Sequence, residues 1–551
     1  MIKKIKIKNI VLLLSLLMMT GCGFMDCDES DNFTKQEVLD SYNRVKQLAT
    51  NVYGFLKADF CSIDGAMLDA ATDDAVHIYK SSNIQRFVDG TWSANNLVDN
   101  VWGHYYEGIR AANFYLKETA GLTFDEWKYS DDYEAIMKEF TNYEVRFLRA
   151  YFYFELIKRY RNIPFVLDVL AQNEANGVNP ESYEKIAKFI VDECSDLAQI
   201  LPVNYDNFST KEKGRVTRAA AMALKSRVTL YMASPLFSED SEDKWKQAAE
   251  AAYDIIKQKT DLGLDLVPYP QIFNDVNNQK AEVILYRPTG ESGDFEKANF
   301  PIGVEGGKTS TCPTQNLMEA YDMKDGTPFV WNNQSNPYDN RDPRMKYTIV
   351  CNEMKWPVDP VEIWEGGTNG LPLQNATTTG YYLKKYVNNT ISFEAGSTVT
   401  KKQHNWVLFR YGEILLNYAE AMINAFHDPN YKDAVYNMSA REAVNQIRGR
   451  TNISLPGFPS DITEKDFVKR LKNERRVELA FEGHRFWDVR RWKELGQTAN
   501  IYGVKITKNN EVISYEKFLL ETRAVTDNMY FYPIPNTERF KNPNLGQNPG
   551  W

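Results

Sequence analysis

Helix-length runs in which apolar residues recur every three or four positions fill most of this chain, and they limit its fold more than any other feature. Residues 36–58 carry Val38, Leu39, Tyr42, Val45 and Leu48, a spacing that lays one apolar stripe along a helix. Residues 96–118 repeat the pattern with Leu97, Val101, Tyr105, Ile109 and Ala112. A longer run over 133–160 turns Phe147, Leu148, Tyr151, Phe154 and Leu156 inward and stops before Pro164. The same periodicity predicts helices over 183–201, 217–232 and 245–258, then over 407–426, 433–450 and 463–495. Short turn-rich links join them in pairs, as in stacked helical hairpins.

Between about Leu264 and Gln403 the texture changes to strand fragments, Pro, Gly and Asn. A long non-helical excursion from a helical array is where binding loops tend to sit. The expected organisation is therefore a leader over 1–21, a tether over 22–33 and a helical part over 34–263. A loop-rich binding part over 264–403 follows, then a C-terminal helical part with an extended tail over 404–551. At 551 residues, 43% hydrophobic and 25% charged, the chain has ordinary globular composition and length for a large core.

The first 22 residues read as a leader of a particular kind. Lys3, Lys4, Lys6 and Lys8 precede an apolar run from Ile10 to Met19, and Thr20-Gly21 stand directly before Cys22. A basic region, a short apolar region and small residues at the cut mark a secretory signal peptide. The cysteine at the cut makes it a lipobox, with cleavage before Cys22 and lipid on that residue. The mature protein is then anchored to a membrane without spanning it, since no second apolar run approaches the length a bilayer needs. Asp26, Asp28, Glu29 and Asp31 follow as an acidic tether.

The formal net charge is −9, and loss of the leader's lysines makes it more acidic, which argues against nucleic acid as a partner. Besides Cys22 the cysteines are Cys27, Cys61, Cys194, Cys312 and Cys351, none at CxxC spacing, so neither a zinc site nor a disulfide scaffold is indicated. No HExxH, GxSxG or P-loop string occurs, and the five histidines, His77, His104, His404, His427 and His484, stand apart from one another. No catalytic residue, metal or cofactor is assigned. A two-carboxylate glycosidase stays open on sequence alone.

Several strings together resemble one family, the SusD/RagB nutrient-binding outer-membrane lipoproteins of Bacteroidetes. The strongest is NERRVELAFEGHRFWDVRRWKELG, Asn473 to Gly496. RFLRAYFYFELIKRYRNIPFV (Arg146 to Val166), GRVTRAAAMALKSRVTLY (Gly214 to Tyr231), RYGEILLNYAEAMINA (Arg410 to Ala425) and the ending FYPIPNTERFKNPNLGQNPGW (Phe531 to Trp551) occur in the family's order and spacing. The resemblance implies a mainly α fold, a tetratricopeptide-like helical hairpin scaffold forming an α-α superhelix, with a loop-rich variable insertion containing short strands. It implies an outer-membrane position facing the cell exterior. It also implies a SusC-like TonB-dependent transporter as partner, and an oligosaccharide as ligand, or a peptide as in the RagB branch. An enzyme and a protein-only adaptor are the remaining alternatives.

The signature itself reads as scaffold. Glu474, Glu478, Glu482 and Asp488 alternate with Arg475, Arg476, Arg485, Arg490 and Arg491, a pattern suited to bidentate Arg–carboxylate pairs. A ligand site is sought instead among aromatics outside the helical stripes, because pyranose C–H faces lie flat on such rings while polar side chains bond the hydroxyls. Trp331, Trp356 and Trp364 lie in the insertion, Tyr79 and Trp92 in the first long loop, and Asn332, Asn333 and Asp73 are candidate polar contacts. Asp69, Asp73 and Asp74 also read as capping residues of that loop, and Arg341 as scaffold because Arg341-Asp342-Pro343-Arg344 resembles a common family string.

Overall fold

Central helices with little one-sided amphipathicity must be buried all round, and the architecture is organised by that rule. The computed structural model describes residues 33–58, 60, 62–122, 141–206, 212–239, 241–274, 280–332, 336–394 and 399–551. Cys22, the tether through Asn32 and the candidate Asn333 lie outside the described residues. Ten helices form the frame: α1 (Tyr42–Tyr53), α2 (Trp102–Glu118), α3 (Thr141–Tyr160), α4 (Tyr183–Ile200), α5 (Arg218–Ala233), α6 (Glu242–Lys257), α7 (Tyr411–Phe426), α8 (Ala440–Arg448), α9 (Glu464–Glu478) and α10 (Arg485–Arg491). From α2 to α7 each packs on the next, and α7 also carries α8 and α9. The fold is thus the mainly helical hairpin stack that the sequence predicts.

Helices α3, α5 and α7 run through the middle, and their charged residues are buried in pairs. Glu155 of α3 accepts from Lys158 and Arg159, and Arg227 of α5 grips Glu413 of α7 at 2.6 and 2.7 Å. Helix starts follow local chemistry. Ser182, Ser241 and Thr463 cap α4, α6 and α9 by accepting a backbone N–H of the first turn, and Ser439 with Glu442 forms a capping box on α8.

Several boundaries differ from the periodicity reading; the 96–118 run, for one, is helical only from Trp102 onward. The expected first helix breaks at Asp40-Ser41 into Lys35–Leu39 and α1. The 407–426 run divides, because Lys402–Arg410 is a strand buried on both faces over its second half and only Tyr411 onward is helical. The 433–450 run is helical only from its capping box onward. The 463–495 run breaks between α9 and α10, where Phe481 (φ 59°) and Gly483 (φ 74°) take left-handed backbone.

Six strands position the loops: β1 (Ala75–His77), β2 (Val283–Ser292), β3 (Thr311–Pro313), β4 (Lys402–Arg410), β5 (Asn500–Asn509) and β6 (Val512–Thr522). The antiparallel β2–β4 pair, with Val283 opposite Arg410 and Ser292 opposite Lys402, zips the two ends of the excursion together. Helices α6 and α7 therefore stay packed across it. The β1–β3 pair ties the first loop to the excursion. The tail is not merely extended. Its β5–β6 hairpin bonds to the excursion through Val504 N–H to Thr379 O and Glu365 N–H to Ile506 O. Three separate chain regions thus build one loop-rich layer.

Candidate functional site

The signature segment forms the frame behind this layer. Glu478 is fully buried and accepts from Arg344, Arg410 and Arg450 at 2.9, 2.9 and 2.7 Å, three arginines from distant parts of the chain. Burial works to raise its pKa, but the three guanidiniums outweigh it and hold the carboxyl far below the usual range. Glu474 joins Arg344 to Arg448, and Arg475 and Arg491 share Asp488. His484 is neutral in this setting, because burial and then the surrounding arginines push its pKa well down. Arg341 spends its guanidinium on the carbonyls of Pro337, Met318 and Tyr321, which is a scaffold role.

Three sequence candidates turn out to be core. Trp92 is 2% exposed, with Trp551 set edge-on at 4.5 Å and Tyr532 at 5.2 Å, so the chain terminus closes over it. Trp356 is 6% exposed, beneath the Lys384 ammonium. A large ring in a Pro- and Gly-rich loop is here the plug that holds the loop down. Asp73 is 3% exposed and receives Arg485 in a bidentate grip at 2.9 and 3.0 Å, with Arg476 at 2.9 Å. Burial works to raise its pKa, but the two guanidiniums outweigh it and keep the carboxyl ionised. It joins the first loop to the signature and has no free edge for a ligand.

Tyr79 and Trp364 remain half-exposed, on loops that both contact residues 300–309. Tyr79 donates its hydroxyl to Lys308 O at 2.5 Å and packs beside His77, while its neighbour Lys80 reaches Glu521 of β6. Burial pushes the His77 pKa down, so that ring is neutral at pH 7. On the other side, the amide of Asn369 donates to Ile302 O at 2.6 Å. Gly303 (φ 89°) passes so close to Thr368 that a Cβ would lie 2.3 Å from the Thr368 carbonyl oxygen. Trp364 stands at the head of this second loop, under the Lys508 ammonium at 4.0 Å from the ring centre, and Lys505 pairs with Glu365. Leu371, 47% exposed, and Leu373 lie on the same loop.

The loops thus present two partly exposed aromatic rings, Tyr79 beside Lys80 near Glu521 and Trp364 beside Lys508 and Glu365, at different ends of the β5–β6 hairpin. Lys80, Lys505, Lys508 and Glu365 were missed by sequence reasoning; Lys80 and Glu365 adjoin Tyr79 and Trp364 in the chain and could have been included, whereas no local signal would have found Lys505 and Lys508, over a hundred positions from Trp364. Trp331 and the exposed Asn332 lie elsewhere, on a strip with Phe329 beside a separate cleft. Among the described residues no group of three or more His, Cys, Asp or Glu side chains is placed to hold a metal ion, and no helix is long and apolar enough to cross a membrane.

Comparison with known proteins gives a consistent picture. A family model described as the SusD family matches residues 272–551, and one described as "Starch-binding associating with outer membrane" matches residues 24–230. SusD-like protein P2 of Formosa agariphila is 23% identical over 83% of this chain and 81% of its own length. The crystal structure of a SusD-like protein from Bacteroides fragilis superposes with a TM-score of 0.76 at 25% identity, covering 94% of this chain and 99% of that one. A second structure from the same species, described as a SusD-like carbohydrate-binding protein, has a TM-score of 0.76 at 24% identity, over 92% and 100% of the two chains.

Proposed function

Because the chain belongs to the SusD family, we propose that it is a non-catalytic cell-surface lipoprotein that captures an oligosaccharide and passes it to a SusC-like TonB-dependent transporter of the outer membrane. The observation that carries the capture step is the partly exposed ring of Trp364, set among Lys508, Lys505 and Glu365, with the partly exposed Tyr79 on a second loop bonded to the same 302–308 segment. A pyranose ring needs that combination: an apolar surface for its C–H face and donors and acceptors for its hydroxyls. The carbohydrate-binding description of a Bacteroides fragilis protein of the same fold supports it.

The anchor rests on the leader and Cys22. Two or more acyl chains, at about 0.8 kcal/mol per buried methylene, hold a protein to a bilayer stably. The acidic tether after Cys22 supports export to the outer face, and the family description supports association with the outer membrane.

Affinity gels cast with neutral polysaccharides test the capture step. Retarded migration is expected, with Trp364→Ala or Tyr79→Ala weakening binding by about 1–3 kcal/mol, the range for flat rings stacking on aromatic side chains. Calorimetric binding of peptides with no retardation by any glycan would sink the glycan reading in favour of peptide capture. Cys22→Ser should release the protein from the membrane fraction, and a tagged wild-type chain should co-purify with the transporter.

A further inference from the structure

A large cleft among the described residues is lined by neither Tyr79 nor Trp364. It has a volume of about 900 Å³ and runs between the outer face of α9, the Pro328–Phe329 strip and the segment following α10. That volume falls within the range of small-molecule sites.

Phe329 is mounted in its wall in a specific way. The Arg341 guanidinium lies 3.6 Å from the ring centre, and that guanidinium is itself immobilised by three backbone carbonyls at 2.6–2.8 Å. One face of the ring is therefore backed by a fixed cation, while the side chain still borders the cleft. Trp331 stands beside it with ring centres 6.4 Å apart. A half-buried ring fixed from behind is a stacking platform that loses little entropy on binding.

The polar lining is equally constrained. Asn473 is held by its bond to Ala320 O at 2.7 Å, and Arg470 by Gly326 O at 2.7 Å. Arg476 and Arg485, backed by Asp73 and Asp74, border the same space. The lining cations Lys465, Lys469, Arg470, Lys472, Arg476 and Arg485 face the carboxylates Glu319, Asp322, Asp461, Asp466 and Glu494. Asp73 and Asp74 behind the wall complete the balance. Such a cleft attracts neither strong anions nor strong cations, yet holds the donors of Arg470, Asn473, Arg476 and Arg485 at fixed positions.

We propose that this cleft is a second saccharide-binding site, for a neutral oligosaccharide segment, with Phe329 as its stacking platform. It rests on the reading of the protein as a glycan-capturing lipoprotein, but on different residues from the Tyr79 and Trp364 loops. Two sites on one molecule let a long glycan be held at two points, raising retention through effective concentration.

Saturation-transfer NMR separates the two sites, with maltohexaose and laminarihexaose as neutral probes and hexa-galacturonate as the anionic one. A Tyr79→Ala/Trp364→Ala double variant removes the loop rings. Transfer to a neutral probe should persist in that variant and weaken about tenfold or more when Phe329→Ala is added. It should weaken severalfold with Lys469→Ala, a change at an exposed position that keeps the proposal testable if the Phe329 variant does not fold. Persistence of that Phe329- and Lys469-dependent signal supports the cleft even if the loop rings prove silent in the wild type. Absence of transfer in the double variant, tighter binding of the anionic probe, or indifference to both Phe329→Ala and Lys469→Ala would overturn it.

Discussion

Removing Arg485 should unfold this protein more readily while leaving capture at the Tyr79 and Trp364 loops intact. Arg485 and Asp73 are 6% and 5% exposed at their side chains and joined by two parallel bonds of 2.9 and 3.0 Å. Deleting one partner of a buried pair costs about 3–5 kcal/mol, because the other charge stays buried without its counter-ion. In Arg485→Ala the carboxylate keeps Arg476 at 2.9 Å, so the lower end, about 3 kcal/mol, is expected. In Asp73→Asn, Arg485 loses its only close carboxylate among the described residues, and the loss should be about 4 kcal/mol. The double variant carries neither orphan, so its loss should fall short of the sum by about 1–3 kcal/mol. Urea midpoints of the four proteins by circular dichroism give the cycle, and affinity gels at low temperature give binding on the same samples. Asp73 has a depressed pKa in the folded state, so its stabilising share is present above the ordinary carboxylate range and is lost as pH falls below about 4. The gap between wild type and Arg485→Ala should narrow there. Strict additivity at neutral pH would refute the paired reading. An unchanged midpoint with lost glycan retention in Asp73→Asn would return Asp73 to the ligand site.

Asp69 titrates in the opposite sense, since burial and then the neighbouring Asp74 carboxylate push its pKa up to about 7. A group raised in the folded state stabilises below its unfolded pKa and loses that contribution as pH rises, so stability should decline between about pH 4 and 7 by on the order of 4 kcal/mol. Asp69→Asn should flatten that slope in pH-resolved urea melts, and an unchanged slope would remove Asp69 as its cause. Trp92→Ala and Trp356→Ala should each cost about 3–5 kcal/mol through the cavity they leave, measured as lowered urea midpoints, with glycan retention intact at low temperature. Loss of retention with an unchanged midpoint would contradict their place in the core.

The helical frame was legible because its determinants are local. Apolar stripes on α2, α4 and α6 and caps such as Ser439 with Glu442 lie within a few residues of one another. The Arg–carboxylate alternation of the signature was legible too, as a statement that ion pairs form. Which pairs form was not, since Glu478 draws Arg344, Arg410 and Arg450 from three remote segments. A helix break was missed where left-handed residues interrupt an unbroken apolar period, as at Phe481 and Gly483.

The sequence alone therefore determined the class of fold and the family, both written in short-range patterns. Only the tertiary structure decided which aromatics are surface and which are plugs. A tryptophan in a loop carries the same local signal in either role, and its exposure depends on what the chain folds over it. Trp551 returns to cover Trp92, and Lys384 lies over Trp356, whereas Trp364 keeps a half-exposed ring. Burial is a property of long-range packing, which no periodicity encodes.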